Sequence, residues 1–94
     1  MDDTPHFIAA RVTIVNRRGL HARAAAKFVK LAGQFTAEIA VINRGTEVSG
    51  LSIMGLMMLA AAPGTTIEIR CRGDDADGAL AALVALVDGK FDED

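Results

Sequence analysis

Three stretches of this chain alternate apolar and polar residues with a period of two, and that alternation constrains the fold more than any other feature. Between Phe7 and Val15, Ile8, Ala10, Val12 and Ile14 share one face, and Ala9, Arg11 and Thr13 share the other. Between Phe35 and Ile42, Ala37, Ile39 and Val41 stand against Thr36, Glu38 and Ala40. Between Thr65 and Arg72, Ile67, Ile69 and Cys71 stand against Glu68, Arg70 and Arg72. Successive side chains of a strand point to opposite faces, so each stretch reads as a half-buried strand. Strands with one polar face argue for an antiparallel sheet covered on one side only.

The cover comes from segments with helical spacing. From Ala22 to Ala32, the residues Ala25, Phe28, Val29 and Ala32 recur at i, i+3, i+4 and i+7, while Arg23, Lys27 and Lys30 lie off that stripe. Gly33 follows as a helix stop. Asn43-Arg44-Gly45 reads as a hairpin turn leading to a return strand over Thr46 to Ser49. Ser52 is an N-cap residue for a short helix through about Leu59. That helix is apolar nearly all round; Leu56, Leu59 and Ala60 are expected inward, and Ile53, Met54 and Met57 outward. Gly73-Asp74-Asp75 caps a last helix with a stripe of Ala76, Ala79, Leu80, Leu83, Val84 and Val87, ended by Gly89. Phe91 to Asp94 reads as an acidic tail. The order is β-α-β-β-α-β-α. The expectation is one α+β domain over residues 1–94, with a four-stranded antiparallel sheet and three helices on one face.

Composition narrows the function classes. A formal charge of −2 and 4% aromatic residues argue against a general nucleic-acid binder, which needs a broad basic face or stacking platforms. The basic residues cluster between Arg17 and Lys30, a local positive patch suited to a small anion or a chosen partner. The single cysteine, Cys71, makes no internal disulfide and offers no metal-ligand spacing, which fits a reducing compartment. The acidic opening Met1-Asp2-Asp3-Thr4-Pro5 lacks the basic region of a signal peptide. The longest apolar run, Ile53 to Ala62, is too short to span a bilayer. The expectation is a cytoplasmic monomer without cofactor, metal or membrane insertion.

The chemistry concentrates where the first strand gives way to the first helix. Val15-Asn16-Arg17-Arg18-Gly19-Leu20-His21 runs through a basic glycine turn and places His21 at a helix start. Helix starts expose unpaired N–H groups and the positive end of the macrodipole, which suits anions. These surroundings, with Arg23 close in sequence, disfavour imidazolium and so favour a neutral, nucleophilic ring. The same groups would stabilise a bound dianion, which suits a histidine that accepts, holds and releases a phosphoryl group. No second histidine or carboxylate stands beside His21 in the motif, so an independent hydrolytic enzyme is not expected.

Gly19-Leu20-His21-Ala22-Arg23-Ala24-Ala25-Ala26-Lys27-Phe28-Val29, followed by Ser52-Ile53-Met54-Gly55-Leu56-Met57, resembles HPr, the histidine phosphocarrier family of the phosphoenolpyruvate-dependent phosphotransferase system. The resemblance covers nearly the whole chain, and the element order agrees with the family's open-faced β-sandwich. It implies that His21 takes a phosphoryl group on Nδ1 from Enzyme I and passes it to an EIIA-type protein, a relay and not an independent enzyme. It implies that Arg23 accompanies the phosphohistidine and that Ser52 matches a serine phosphorylated by an HPr kinase/phosphorylase in some branches. Leu20, Ile53, Met54 and Met57 match an apolar patch that docks partners, with Arg18 and Lys27 flanking it. An alternative use of the same patch is a regulatory adaptor whose phosphorylation state controls binding. Ala24 stands where many members carry proline; an alanine still starts a helix adequately. Ala22 to Ala26 resembles the nitrogen-related branch, NPr, more than the sugar-transport proteins.

Overall fold

The computed structural model describes residues 6–93. The lead-in 1–5 and Asp94 of the acidic tail lie outside the described residues. Strand β1 (Ile8–Thr13) leads to helix α1 (Ala22–Ala32), then to the hairpin β2 (Glu38–Asn43) and β3 (Thr46–Ser49), helix α2 (Ile53–Met58), strand β4 (Thr66–Arg72) and helix α3 (Ala76–Asp88). The sheet order is β1-β4-β2-β3, antiparallel throughout. This is the expected β-α-β-β-α-β-α order, and the three helices cover one face of the sheet.

The alternation sets the register. Val12 pairs with Ile67, Ala10 with Ile69, and Val41 with Ile69 across the second ladder, so one face is a continuous apolar floor. Phe28 of α1, Leu56 of α2, and Leu83 and Val87 of α3 pack onto that floor within one core. Cys71 lies within it, and burial pushes its thiol pKa up, so it stays a neutral core side chain. The opposite face is polar: Arg70 pairs with Glu68 and Glu47, and Arg72 bonds Glu38 at 2.7 Å. Ala40 belongs to this face yet is buried, because it sits between its ladder partners Arg70 and Ser49.

The hairpin turn is the two-residue type whose central residues both take positive φ: Arg44 at 52° and Gly45 at 81°. Three expectations need correction. Strand β2 starts at Glu38, not Phe35, because the N–H groups of Thr36 and Ala37 bond the Asp75 carboxylate, each at 2.8 Å, and not a neighbouring strand. Asp75 therefore caps that loop and makes no side-chain cap bond on its own helix. Ala60 faces solvent at φ 51°, because α2 has already ended at Met58.

The expected acidic tail is structured. Lys90, Phe91 and Asp92 have φ of 60°, 55° and 61°, a single left-handed turn that folds the chain back after α3. L-residues disfavour this conformation. Phe91, fully buried in the core, holds it in place, and Lys27 Nζ donates to Phe91 O at 2.6 Å. No helix among the described residues is long and apolar enough to cross a membrane.

Candidate functional site: a histidine at a helix start held by a distant carboxylate

The loop that carries His21 is fastened to its surroundings at several points. Ile14 exchanges bonds with the β4 approach, donating to Thr65 O at 2.8 Å and accepting from Gly64 N at 2.8 Å. Gly19 takes φ +66°, and a Cβ there would stand 2.6 Å from Ala61 O. Both the turn and the close approach therefore require glycine. Leu20 N donates to the same Ala61 O at 2.9 Å. The loop is thereby pinned against the segment that follows α2.

His21 is the N-cap residue of α1, with extended backbone at φ −78° and ψ 179°. Its carbonyl accepts from Ala25 N at 2.8 Å, but its side chain makes no cap bond. The N–H groups of Ala22, Arg23 and Ala24 thus face outward at the positive helix end without intrahelical partners. Ala24, in the first turn of α1, is fully buried in the core.

The imidazole has a carboxylate partner that no local motif disclosed. Nε2 of His21 lies 2.8 Å from Glu93 Oε2 and 3.0 Å from Oε1. The two side chains are 20% and 17% exposed. Asn16, wholly buried, donates from Nδ2 to Glu93 Oε1 at 2.8 Å and to Gly19 O at 2.8 Å. The Asn16 bond, with help from the His21 bond and the charges of His21 and Lys27, holds the Glu93 carboxyl below the usual carboxylate range against the opposing effect of burial. An ionised carboxylate only accepts, so the proton between these groups resides on Nε2. Among the described residues, every hydrogen bond of the His21 ring is at Nε2.

Glu93 and Asn16 lie 72 and 5 residues from His21 in sequence, and neither stood out. The one available signal was Phe91, a large apolar residue in a tail of acids, which demanded a burial site.

The other expected residues divide in two. Arg23 and Arg18 are exposed beside the site, and Lys27 reaches across to the terminal turn. Ser52 Oγ accepts from Gly55 N at 2.9 Å and is the N-cap of α2. Ile53, Met54 and Met57 are exposed as expected, Met54 by 75%. Leu51 and Met58 extend that patch, Met58 by 78%. Leu20 differs: it is 6% exposed and belongs to the core, drawn in by the bond of its N–H to Ala61. It supports the patch from beneath.

Comparison with known proteins agrees with this fold. A family model described as the PTS HPr component phosphorylation site matches residues 8–88. The phosphocarrier protein NPr of Shewanella violacea is 51% identical over 83 residues, 88% of this chain and 91% of its own length. The phosphocarrier protein HPr of Pseudomonas aeruginosa is 49% identical over 87 residues, 90% of this chain and 96% of its own. The crystal structure of HPr-C-His from Thermoanaerobacter tengcongensis superposes with a TM-score of 0.88 at 39% identity, covering 93% of this chain and 98% of that one. A partly exposed histidine at a helix start, on an open-faced sandwich matched along nearly its full length, places the chain in the HPr family of phosphocarriers of the phosphotransferase system.

Proposed function

We propose that His21 accepts a phosphoryl group on Nδ1 from phospho-Enzyme I and passes it to an EIIA-type protein. The observation that carries this reading is the bonding of the ring: Nε2 is bonded to Glu93, and Nδ1, at the start of α1, makes no hydrogen bond among the described residues. In the forward step the Nδ1 lone pair forms the N–P bond as the donor's bond to phosphorus breaks and the donor keeps that electron pair. The exposed N–H groups of the first turn and Arg23 then face the phosphoryl oxygens. Little else is needed, since phosphoryl transfer depends on position and charge. An open site with few charges also allows the group to leave.

The patch of Ile53, Met54 and Met57, with Leu51 and Met58 beside it, is the proposed docking surface for both partners, flanked by Arg18 and Lys27. Methionines suit a surface that serves several partners, because they repack easily. Ser52 stands at the edge of this patch. Phosphorylation there by an HPr kinase/phosphorylase would add a dianion that the helix start tolerates and the apolar interface does not. The exposed patch also favours a second reading, an adaptor whose binding is switched by the state of His21. The proposed setting is the cytoplasm, with residues 1–94 acting as one domain and one copy.

The test is intact-mass analysis after incubation with phosphoenolpyruvate and the cognate Enzyme I. One acid-labile phosphoryl group is expected, absent in His21→Ala. No gain in mass with an active Enzyme I would remove the carrier reading and leave the adaptor.

A further inference from the structure

We infer that Glu93, held by Asn16, is the positioning residue of His21: it keeps the proton on Nε2 through both halves of the phosphoryl transfer and so assigns Nδ1 as the reacting atom. This rests on the carrier reading proposed above and adds the residues that make the ring competent.

The argument starts from donors and acceptors. Glu93 presents both carboxylate oxygens to Nε2, at 2.8 and 3.0 Å. If Nδ1 carried the proton, a lone pair on Nε2 would face two anionic oxygens with no hydrogen between them. The neutral ring is therefore the Nε2–H form, and its free lone pair is on Nδ1. Asn16 fixes the carboxylate in turn. Its amide gives both hydrogens to acceptors, Gly19 O and Glu93 Oε1, so the loop before the histidine and the acid behind it are set by one buried side chain. Among the described residues Asn16 Oδ1 has no partner, so the amide is oriented for donation to these two groups at the expense of its own acceptor.

The same contact acts during transfer. When the Nδ1 lone pair bonds phosphorus while Nε2 keeps its hydrogen, the ring gains a positive charge. Glu93 faces that charge and opposes it without moving a proton. When the acceptor protein takes the phosphoryl group, the N–P electron pair returns to Nδ1, and the ring leaves as neutral imidazole because Nε2 is still protonated. No net proton is gained or lost in either direction. A ring that lost the Nε2 proton would instead have to leave as imidazolate, a much poorer leaving group.

The experiment uses the full chain in two arms. In the first, the ring nitrogens of His21 are followed by 15N NMR in alkaline solution, where free imidazole is neutral; this arm needs no Enzyme I. The native protein should show Nε2–H as the single tautomer, and Glu93→Ala should admit the Nδ1–H form. In the second arm, the rate of phosphoryl acceptance is measured against Enzyme I concentration for the native protein, Glu93→Ala, Glu93→Gln and the charge control Asp88→Asn. Both Glu93 variants should fall about tenfold in kcat with KM for Enzyme I unchanged, comparable to the loss when the hydrogen-bond partner that orients a metal-bound histidine is removed. Asp88→Asn, exposed at the end of α3, should match the native protein. An Nδ1–H tautomer in the native protein would overturn the proposal whatever the variants do. So would unchanged tautomer and kcat in folded Glu93→Ala, or an equal loss in Asp88→Asn. Failure of the native protein to accept any phosphoryl group would count against the carrier reading alone, since the tautomer arm still judges Glu93.

Discussion

Two residues that do no chemistry themselves show how tightly single positions are specified. Gly19 combines φ +66° with a hypothetical Cβ 2.6 Å from a backbone carbonyl, which cannot swing aside as a side chain could. Gly19→Ala should cost about 2 kcal/mol, from the left-handed conformation and the clash together. Urea unfolding followed by circular dichroism measures it, since the chain has no Trp or Tyr to report by fluorescence. Asp75 is the second. Its carboxyl is held below its ordinary value of 3.8, first by the Thr36 N–H and then by the Ala37 N–H. A carboxyl lowered on folding stabilises the native state fully above its unfolded value and loses that contribution as pH falls through the folded one. Asp75→Ala should therefore melt below the native protein at neutral pH. The two melting curves should converge in acid, and a gap that persists at low pH would assign the effect to packing.

At the scale of elements, α2 is the least self-sufficient. It has six residues, one buried apolar anchor in Leu56, and a cap supplied by Ser52. Its stability comes from α1 and the hairpin beneath it, and most of its apolar surface faces outward. Core burial and partner docking are thus separated on one short helix. Met54→Glu should leave stability within about 0.5 kcal/mol. The same change should raise KM for Enzyme I about tenfold, as expected for a charge placed in an apolar interface. Unchanged KM would move the docking surface elsewhere. The elements themselves were legible because their signals are periodic. The stripe of α1, the alternation of β1 and β4, and the Asn43-Arg44-Gly45 turn each depend on neighbours within a few residues. What was not legible at this scale came from groups acting across the chain. Asp75 shortens β2 from 38 residues away by competing for its first N–H groups, and no window of sequence contains both partners.

At the scale of the molecule, the site joins the two ends of the described chain. Asn16 follows the first strand, His21 opens the first helix, and Glu93 comes from the last turn, 77 and 72 residues away respectively. The histidine and its helix start were readable from a local motif, whereas the acid was not. Polar side-chain pairs of this kind carry no periodicity, and an acidic tail looks the same whether it docks or floats. Phe91 is the residue that decides between those fates. It is fully buried while its flanking residues are polar, and its carbonyl is held by Lys27 at 2.6 Å. Glu93 reaches His21 only because this anchor bends the chain through a left-handed turn that non-glycine residues resist. Removing the ring leaves that turn unsupported. Phe91→Ala should cost about 3 kcal/mol, the low end for a buried Phe, because the end of a chain can relax around the loss. It should also release Glu93 from Nε2, so phosphoryl acceptance by the folded fraction should fall as far as it does in Glu93→Ala. Measuring both quantities on one variant separates the two roles of the anchor. A protein that loses stability but keeps its rate would show that Asn16 alone holds the acid in place. A rate that falls with the stability would show that the core itself, through Phe91, aims the carboxylate at the reacting ring.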